Sequence, residues 1–166
     1  LKKQLELGKN AKGVILEIKK EKAINYAEAI LYDGELKRND EIAIASLDSN
    51  QGAIITKIRT IEEIQPMCAK FSPKEKVTAS TGIRMQLINN EGVLSGMPFA
   101  VLTSNRTNLS EIEKEFKKEI SQSLNSALSK NGIIAKADSL GSLEALLVLL
   151  QQANIPVVKV GIGAIN

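Results

Sequence analysis

Two short stretches of the 166-residue sequence place residues in patterns that bind anions in other proteins. Asp138-Ser139-Leu140-Gly141-Ser142 follows a β-branched run and opens an apolar helical pattern. That position offers free backbone N–H donors at a helix N-terminus, an arrangement that holds phosphates. Asp138 opposes the use, because its carboxylate already sits at the positive end of the helix dipole and repels a second anion. The sequence has no Gly-rich loop followed by a lysine, and phosphate-loop chemistry needs that lysine. A cap by Ser139 or Asp138 is the better reading, with Gly141 letting helix and strand approach closely. Gly161-Ile162-Gly163 supplies the first two glycines of a dinucleotide turn, but Asn166 stands where the third belongs.

A third pattern is basic. Lys37-Arg38 lies in a polar turn, and Lys57 and Arg59 stand two apart in a strand-like run. Together they are candidates for contact with an anionic surface, although solvated outward side chains of two strands account for them equally well. The net charge is +3, and the excess is uneven: residues 1–108 hold 16 bases and 13 acids, residues 109–166 hold 6 of each. The N-terminal part is therefore the better candidate for an anionic partner. Lys19-Lys20-Glu21-Lys22 reads as a wet loop tip.

Absences narrow the chemistry further. With no histidine, the segment holds no Ser-His-Asp or Cys-His arrangement and no His-bearing zinc site. Cys68, between Met67 and Ala69, has no charged neighbour to form a thiolate and no second cysteine to pair with. It reads as an inert thiol in a cytosolic protein. No acid pair stands where general acid–base work is expected, so no catalytic, cofactor or metal residue is assigned. Only 3% of residues are aromatic, which removes the stacking platforms of single-strand binding domains. No signal peptide and no membrane-spanning run is visible.

These residues need elements to position them. Residues 13–102 read as short strands punctuated by turns, with apolar Val14, Leu16 and Ile18 alternating against Ile15 and Glu17 in the first. Asp33-Gly34 is expected to form a hairpin turn, Ser49-Asn50-Gln51-Gly52 another turn, and residues 65–74 a proline-containing loop. Such spacing predicts a closed antiparallel barrel. The period changes at residue 109, where Leu109, Ile112, Phe116, Ile120, Leu124 and Leu128 fall three or four apart. A helix over 109–130 is predicted, with Asn108 and Glu111 in capping-box spacing and Asn131-Gly132 at its end. Ile133-Ile134-Ala135, the Leu-rich run from 139 to 153, and Val157-Val158-Lys159-Val160 then read as strand, helix, strand. Two parallel strands cannot bury a sheet alone, so the sequence reads as a piece of a longer protein.

Taken together, Gly13-Val14-Ile15-Leu16-Glu17, Leu31-Tyr32-Asp33-Gly34-Glu35-Leu36-Lys37-Arg38-Asn39-Asp40, Lys57-Ile58-Arg59, Ser80-Thr81-Gly82-Ile83-Arg84, Leu94-Ser95-Gly96-Met97-Pro98 and the Ser139-Leu140-Gly141-Ser142-Leu143-Glu144-Ala145-Leu146 run resemble one family. It is the archaeal and eukaryotic translation initiation factor 5B, counterpart of bacterial initiation factor 2. The resemblance implies that residues 1–107 form the β-barrel called domain II in translation GTPases. Residues 108–166 would begin domain III, a partial α/β/α layer starting as a helix and a truncated βαβ unit. It implies a non-catalytic middle portion of a ribosome-dependent GTPase that promotes subunit joining and supports initiator tRNA placement. GTP and magnesium would belong to a GTPase domain before Leu1, and the initiator tRNA to a domain after Asn166. The partners implied here are small-subunit ribosomal RNA, through Lys37, Arg38, Lys57 and Arg59, and the factor's own GTPase domain. Asn39 stands where many translation barrels have Gly, a position Asn tolerates in the left-handed region. The alternatives are a nucleotide-binding α/β enzyme with the barrel as accessory, and a free-standing RNA-binding barrel.

Overall fold

The computed structural model describes residues 8, 10–21, 24–46, 52–65, 70–103, 106–124 and 128–163. Cys68, Lys22 and Ser49-Asn50-Gln51 lie outside them. Among the described residues nine strands come first: β1 Lys12–Glu21, β2 Ile24–Asp33, β3 Glu35–Lys37, β4 Glu41–Ile44, β5 Ile54–Ile64, β6 Phe71–Lys74, β7 Lys76–Thr78, β8 Thr81–Leu87 and β9 Pro98–Val101. They are followed by α1 Leu109–Leu124, β10 Leu128–Ala137, α2 Leu140–Gln152 and β11 Val157–Ile162.

The main sheet runs β4-β9-β1-β2-β8-β5 and closes on itself through β4–β5, with β6 continuing beside the far half of β5. Pairing is antiparallel throughout, with Ala27 opposite Met85 and Ala43 opposite Ala100. Closure removes the open edges of β4 and β5 that would otherwise invite association, and leaves β6 as an edge strand. Small inward residues on β2, Ala27 and Ala29, leave room for the larger Phe99, Met85, Ile58 and Ile83, all essentially buried. Gly13 has no Cβ because the Phe99 ring and the Ile30 carbonyl occupy that space. The short β3–β7 ladder, with Leu36 and Val77 buried, adds a second layer to the same core.

Bulges on β1 and β5 reset the expected alternation. On β1 the pairing passes from Ile15–Ala29 to Glu17–Glu28, leaving Leu16 as an extra residue, 53% exposed, while Ile15 enters the core. On β5 it passes from Ile58–Leu87 to Thr60–Gln86, leaving Arg59 extra; Ile58 and Ile61 are therefore both buried despite lying three apart. Asp33-Gly34 is not a hairpin turn, since β2 pairs with β1 and β8 whereas β3 pairs with β7. Gly34 instead takes φ 72° at a sharp bend against the Asn10–Ala11 backbone. Within the expected 65–74 loop, β6 is a strand, and its Pro73 is tolerated because among the described residues the strand pairs with β5 alone.

Helix α1 ends at Leu124, short of Lys130, and Asn131-Gly132 lies inside β10. The sequence suggested a helix stop there, but Gly132 serves a close approach to the Pro156 carbonyl that a Cβ would block. Asn108 does not form a capping box: its Oδ1 accepts from Thr103 N at 3.0 Å and from Thr103 Oγ1 at 3.1 Å, and its Nδ2 donates to the Val101 carbonyl. The side chain thus ties the helix start back to β9. Ile112 and Phe116 join the barrel's apolar cluster. β10 and β11 pair in parallel, with Ala135 opposite Val160, and Leu143 and Leu147 of α2 pack on them with Ala135 and Val157.

Candidate nucleic-acid interface

Among the described residues no buried side-chain polar atom lacks a partner, and no His, Cys, Asp and Glu group is arranged to hold a metal. The α2 N-terminus is capped within the chain. Ser139 Oγ accepts from Ser142 N at 3.2 Å, and Leu140 N donates to the Ser95 carbonyl, so the expected Ser139 cap is present. Gly141 has open space where a Cβ would lie. The close approach expected there falls instead at Gly96, where a Cβ would stand 2.8 Å from Leu140 Cβ.

The basic residues occupy one region of the barrel wall, with different degrees of freedom. Asn39 takes φ 69° in the turn between β3 and β4, Asn39 N donates to the Ile58 carbonyl, and Ile58 N donates to the Asp40 carbonyl. That stitching lays residues 38–40 against β5. Arg38 Nε donates to the Arg59 carbonyl at 3.1 Å, and its Nη1 pairs with Glu75 Oε1 at 3.0 Å. Lys57 and Arg59 project outward on either side of buried Ile58, and neither makes an ion pair with a described residue. Lys57 lies opposite Glu41, whose carboxylate is occupied by Arg106 at 3.0 and 3.2 Å. Lys37 turns the other way, to Glu35 at 3.4 Å beside Lys76. The structure thus gathers Arg38, Lys57 and Arg59 and directs Lys37 to the β3–β7 ladder.

Electrostatics sharpen the contrast. The Arg106 hydrogen bond holds the Glu41 carboxyl below the usual carboxylate value, and Lys76 does the same to Glu35. Burial raises the Asp40 carboxyl, against the hydrogen bond that its Oδ2 accepts from Lys37 N. Most acids near the patch are thereby neutralised by partners of their own. Arg59 also lines a groove with Asn25, Asn39, Gln86 and Asn90, residues that no sequence spacing connects.

A second charge cluster is internally closed. On the outer wall where β1, β2 and β8 run side by side, Arg84 donates to Glu28 Oε1 from Nε at 3.2 Å and Nη2 at 2.8 Å, and Nη2 also meets Glu21 at 3.1 Å. Lys19 reaches Glu28 Oε2 at 2.8 Å. The guanidinium lies 4.3 Å from the Phe71 ring centroid and 5.2 Å from that of Tyr26. Burial would raise the Glu28 carboxyl, but hydrogen bonds from Lys19 and Arg84 outweigh it and hold it low. With its charges matched within the cluster, it braces the wall and leaves no surplus for a ligand.

Among the described residues no helix is long and apolar enough to cross a membrane. No protein-family profile matches the chain. Individual proteins do. The probable translation initiation factor IF-2 of Methanobrevibacter smithii is 37% identical over 175 residues, covering 100% of this chain and 28% of that protein. The protein of the same name from Archaeoglobus fulgidus is 36% identical over 169 residues, 98% of this chain and 28% of its own length. GDP-bound aIF5B from Aeropyrum pernix superimposes with a TM-score of 0.74 at 29% identity, covering 97% of this chain and 28% of that one. The chain spans a little over a quarter of the length of these relatives. A barrel followed by a partial α/β region, matched nearly end to end by archaeal IF-2 proteins in sequence and by aIF5B in space, places the chain in the archaeal translation initiation factor family named IF-2 and aIF5B, as a segment of it.

Proposed function

We propose that this chain is the non-catalytic middle portion of a ribosome-dependent translation initiation GTPase of the cytoplasm. In this reading residues 1–107 act as domain II and residues 108–166 begin domain III. GTP and magnesium are handled by a GTPase domain elsewhere in the parent, and initiator tRNA by a further domain. The portion described here positions the others during subunit joining, with the barrel resting on small-subunit ribosomal RNA. The observation that carries the RNA contact is the pair Lys57 and Arg59, outward on one strand and unpaired among the described residues, with Arg38 docked beside them. Cations held in no ion pair with a described residue can replace the counterions of a phosphate backbone.

The test is binding of the chain to small ribosomal subunits across salt, before and after replacing Lys37, Arg38, Lys57 and Arg59 with Ala. Each lost phosphate contact is expected to reduce the slope of log affinity against log salt by about 0.7–0.9. Because Lys37 turns to Glu35, the single change Lys37→Ala is expected to matter least. An unchanged affinity and slope in the quadruple variant refutes the contact.

A further inference from the structure

The groove beside these cations opens at the barrel rim, between the start of β2, the end of β8 and the bulge of β5. Arg59, Asn25, Asn39, Gln86 and Asn90 line it with Ile88 and Ile24, and no carboxylate is among its lining residues. Two features set it apart from ordinary wet surface. The side-chain amides of Asn25, Asn39, Gln86 and Asn90 form no hydrogen bond with any described residue. Ile88 is 65% exposed although its segment is firmly held. Ile88 N donates to the Lys57 carbonyl at 3.0 Å, Asn89 N to Thr56 Oγ1 at 3.2 Å, and Glu91 N to Asn89 Oδ1 at 3.1 Å.

A ligand that satisfied this site would carry a flat apolar face for Ile88, an edge of donors and acceptors for the amides, and an anionic attachment for Arg59. A ribonucleotide with an unpaired base has all three: amides pair bidentately with base edges, and unpaired RNA bases are read on those edges. A guanidinium serves either the phosphate or the ring face. Duplex RNA keeps its base faces stacked and does not fit. We propose that the groove receives one unpaired nucleotide of the RNA on which the barrel rests, so that the contact reads a base as well as the backbone. This inference depends on the RNA contact put forward above.

The test is nuclear magnetic resonance on the 15N-labelled chain, titrated with the four homopolymeric penta-ribonucleotides. The side-chain amide signals of Asn25, Gln86 and Asn90 are expected to move on one binding curve, with one base preferred about fivefold over the others, the worth of one net hydrogen bond. Gln86→Ala is expected to remove that preference and leave the salt slope unchanged. If signals near Lys57 and Arg59 move while the amides stay fixed, base reading is overturned and the phosphate contact stands. Equal affinity for all four oligonucleotides, untouched by Gln86→Ala, overturns it equally. If no signal moves at millimolar oligonucleotide, the groove is not a nucleotide site, and the small-subunit experiment alone decides the RNA contact.

Discussion

Removing the Arg84 guanidinium should weaken the barrel by a predictable amount. Arg84 and Glu28 side chains are 16% and 17% exposed, so their pairing is largely withdrawn from solvent. A hydrogen bond to a charged group contributes about 1.5–3 kcal/mol, and a cation over an aromatic face about 0.5–1 kcal/mol. Lys19 keeps Glu28 paired when Arg84 is gone, which limits the loss for Arg84→Ala to about 2–3 kcal/mol. For a chain of this length that is a fall of about 5–10 °C in Tm. Arg84→Lys retains the charge without the fork and is expected midway. Lys74→Ala is the control: its pair with Glu63 is 3.9 Å long and its side chain 48% exposed, so it should change stability by less than about 0.5 kcal/mol. Thermal unfolding by circular dichroism gives the shifts, and a double-mutant cycle with Glu28→Gln gives a coupling of about 1–2 kcal/mol. Equal Tm values for Arg84→Ala and Lys74→Ala, or a coupling near zero, refute the view that this cluster braces the wall.

Three further outcomes are expected. Glu28, Glu35 and Glu41 lie below their ordinary value of 4.5 in the folded chain; their stabilisation is complete above 4.5 and disappears as pH falls through the folded values. Asp40, raised by burial, acts in the opposite sense, its contribution fading as pH rises through its folded value. Tm against pH should therefore fall on the acid side, and Glu28→Gln should flatten that fall. Gly96→Ala forces a Cβ against Leu140 at φ 88°, costing about 1–3 kcal/mol. Hydrogen exchange should quicken in α2 and stay unchanged in β2 and β8; unaltered α2 protection counts against this joint. Asn108→Ala removes three hydrogen bonds from a side chain in a residue only 9% exposed and should cost about 1–3 kcal/mol. Glu111→Ala should cost under about 0.5 kcal/mol, because no capping box exists; equal denaturation midpoints for the two variants contradict that assignment.

The barrel, the amphipathic α1 and the β10–α2–β11 unit were legible because each depends on local periodicity. What sequence could not show depended on partners far along the chain. Leu16 and Arg59 are bulge residues only because β2 and β8 supply one residue opposite two. Pro73 suggested a loop, yet β6 pairs on one side only. Gly132 read as a helix stop because its neighbour in space, Pro156, lies 24 positions away. In the candidate interface, residue type and spacing brought out Lys57 and Arg59. Arg38's docking and the diversion of Lys37 to Glu35 required the β3–β4 turn to be folded against β5. The amides of Asn25, Gln86 and Asn90 carried no signal at all, since three separate elements bring them together.

The placement of α1 bears on how the chain comes apart. Ile120, Leu140 and Ile162 each pack against both apolar clusters, and the smaller cluster has only Ala135, Leu143, Leu147 and Val157 at its centre. Four side chains and two strands are too little to stand alone. Within this chain the β10–α2–β11 unit is joined to the barrel by Ile120 of α1 and by its own Leu140 and Ile162. Heating should melt both in a single calorimetric transition whose van't Hoff and measured enthalpies agree.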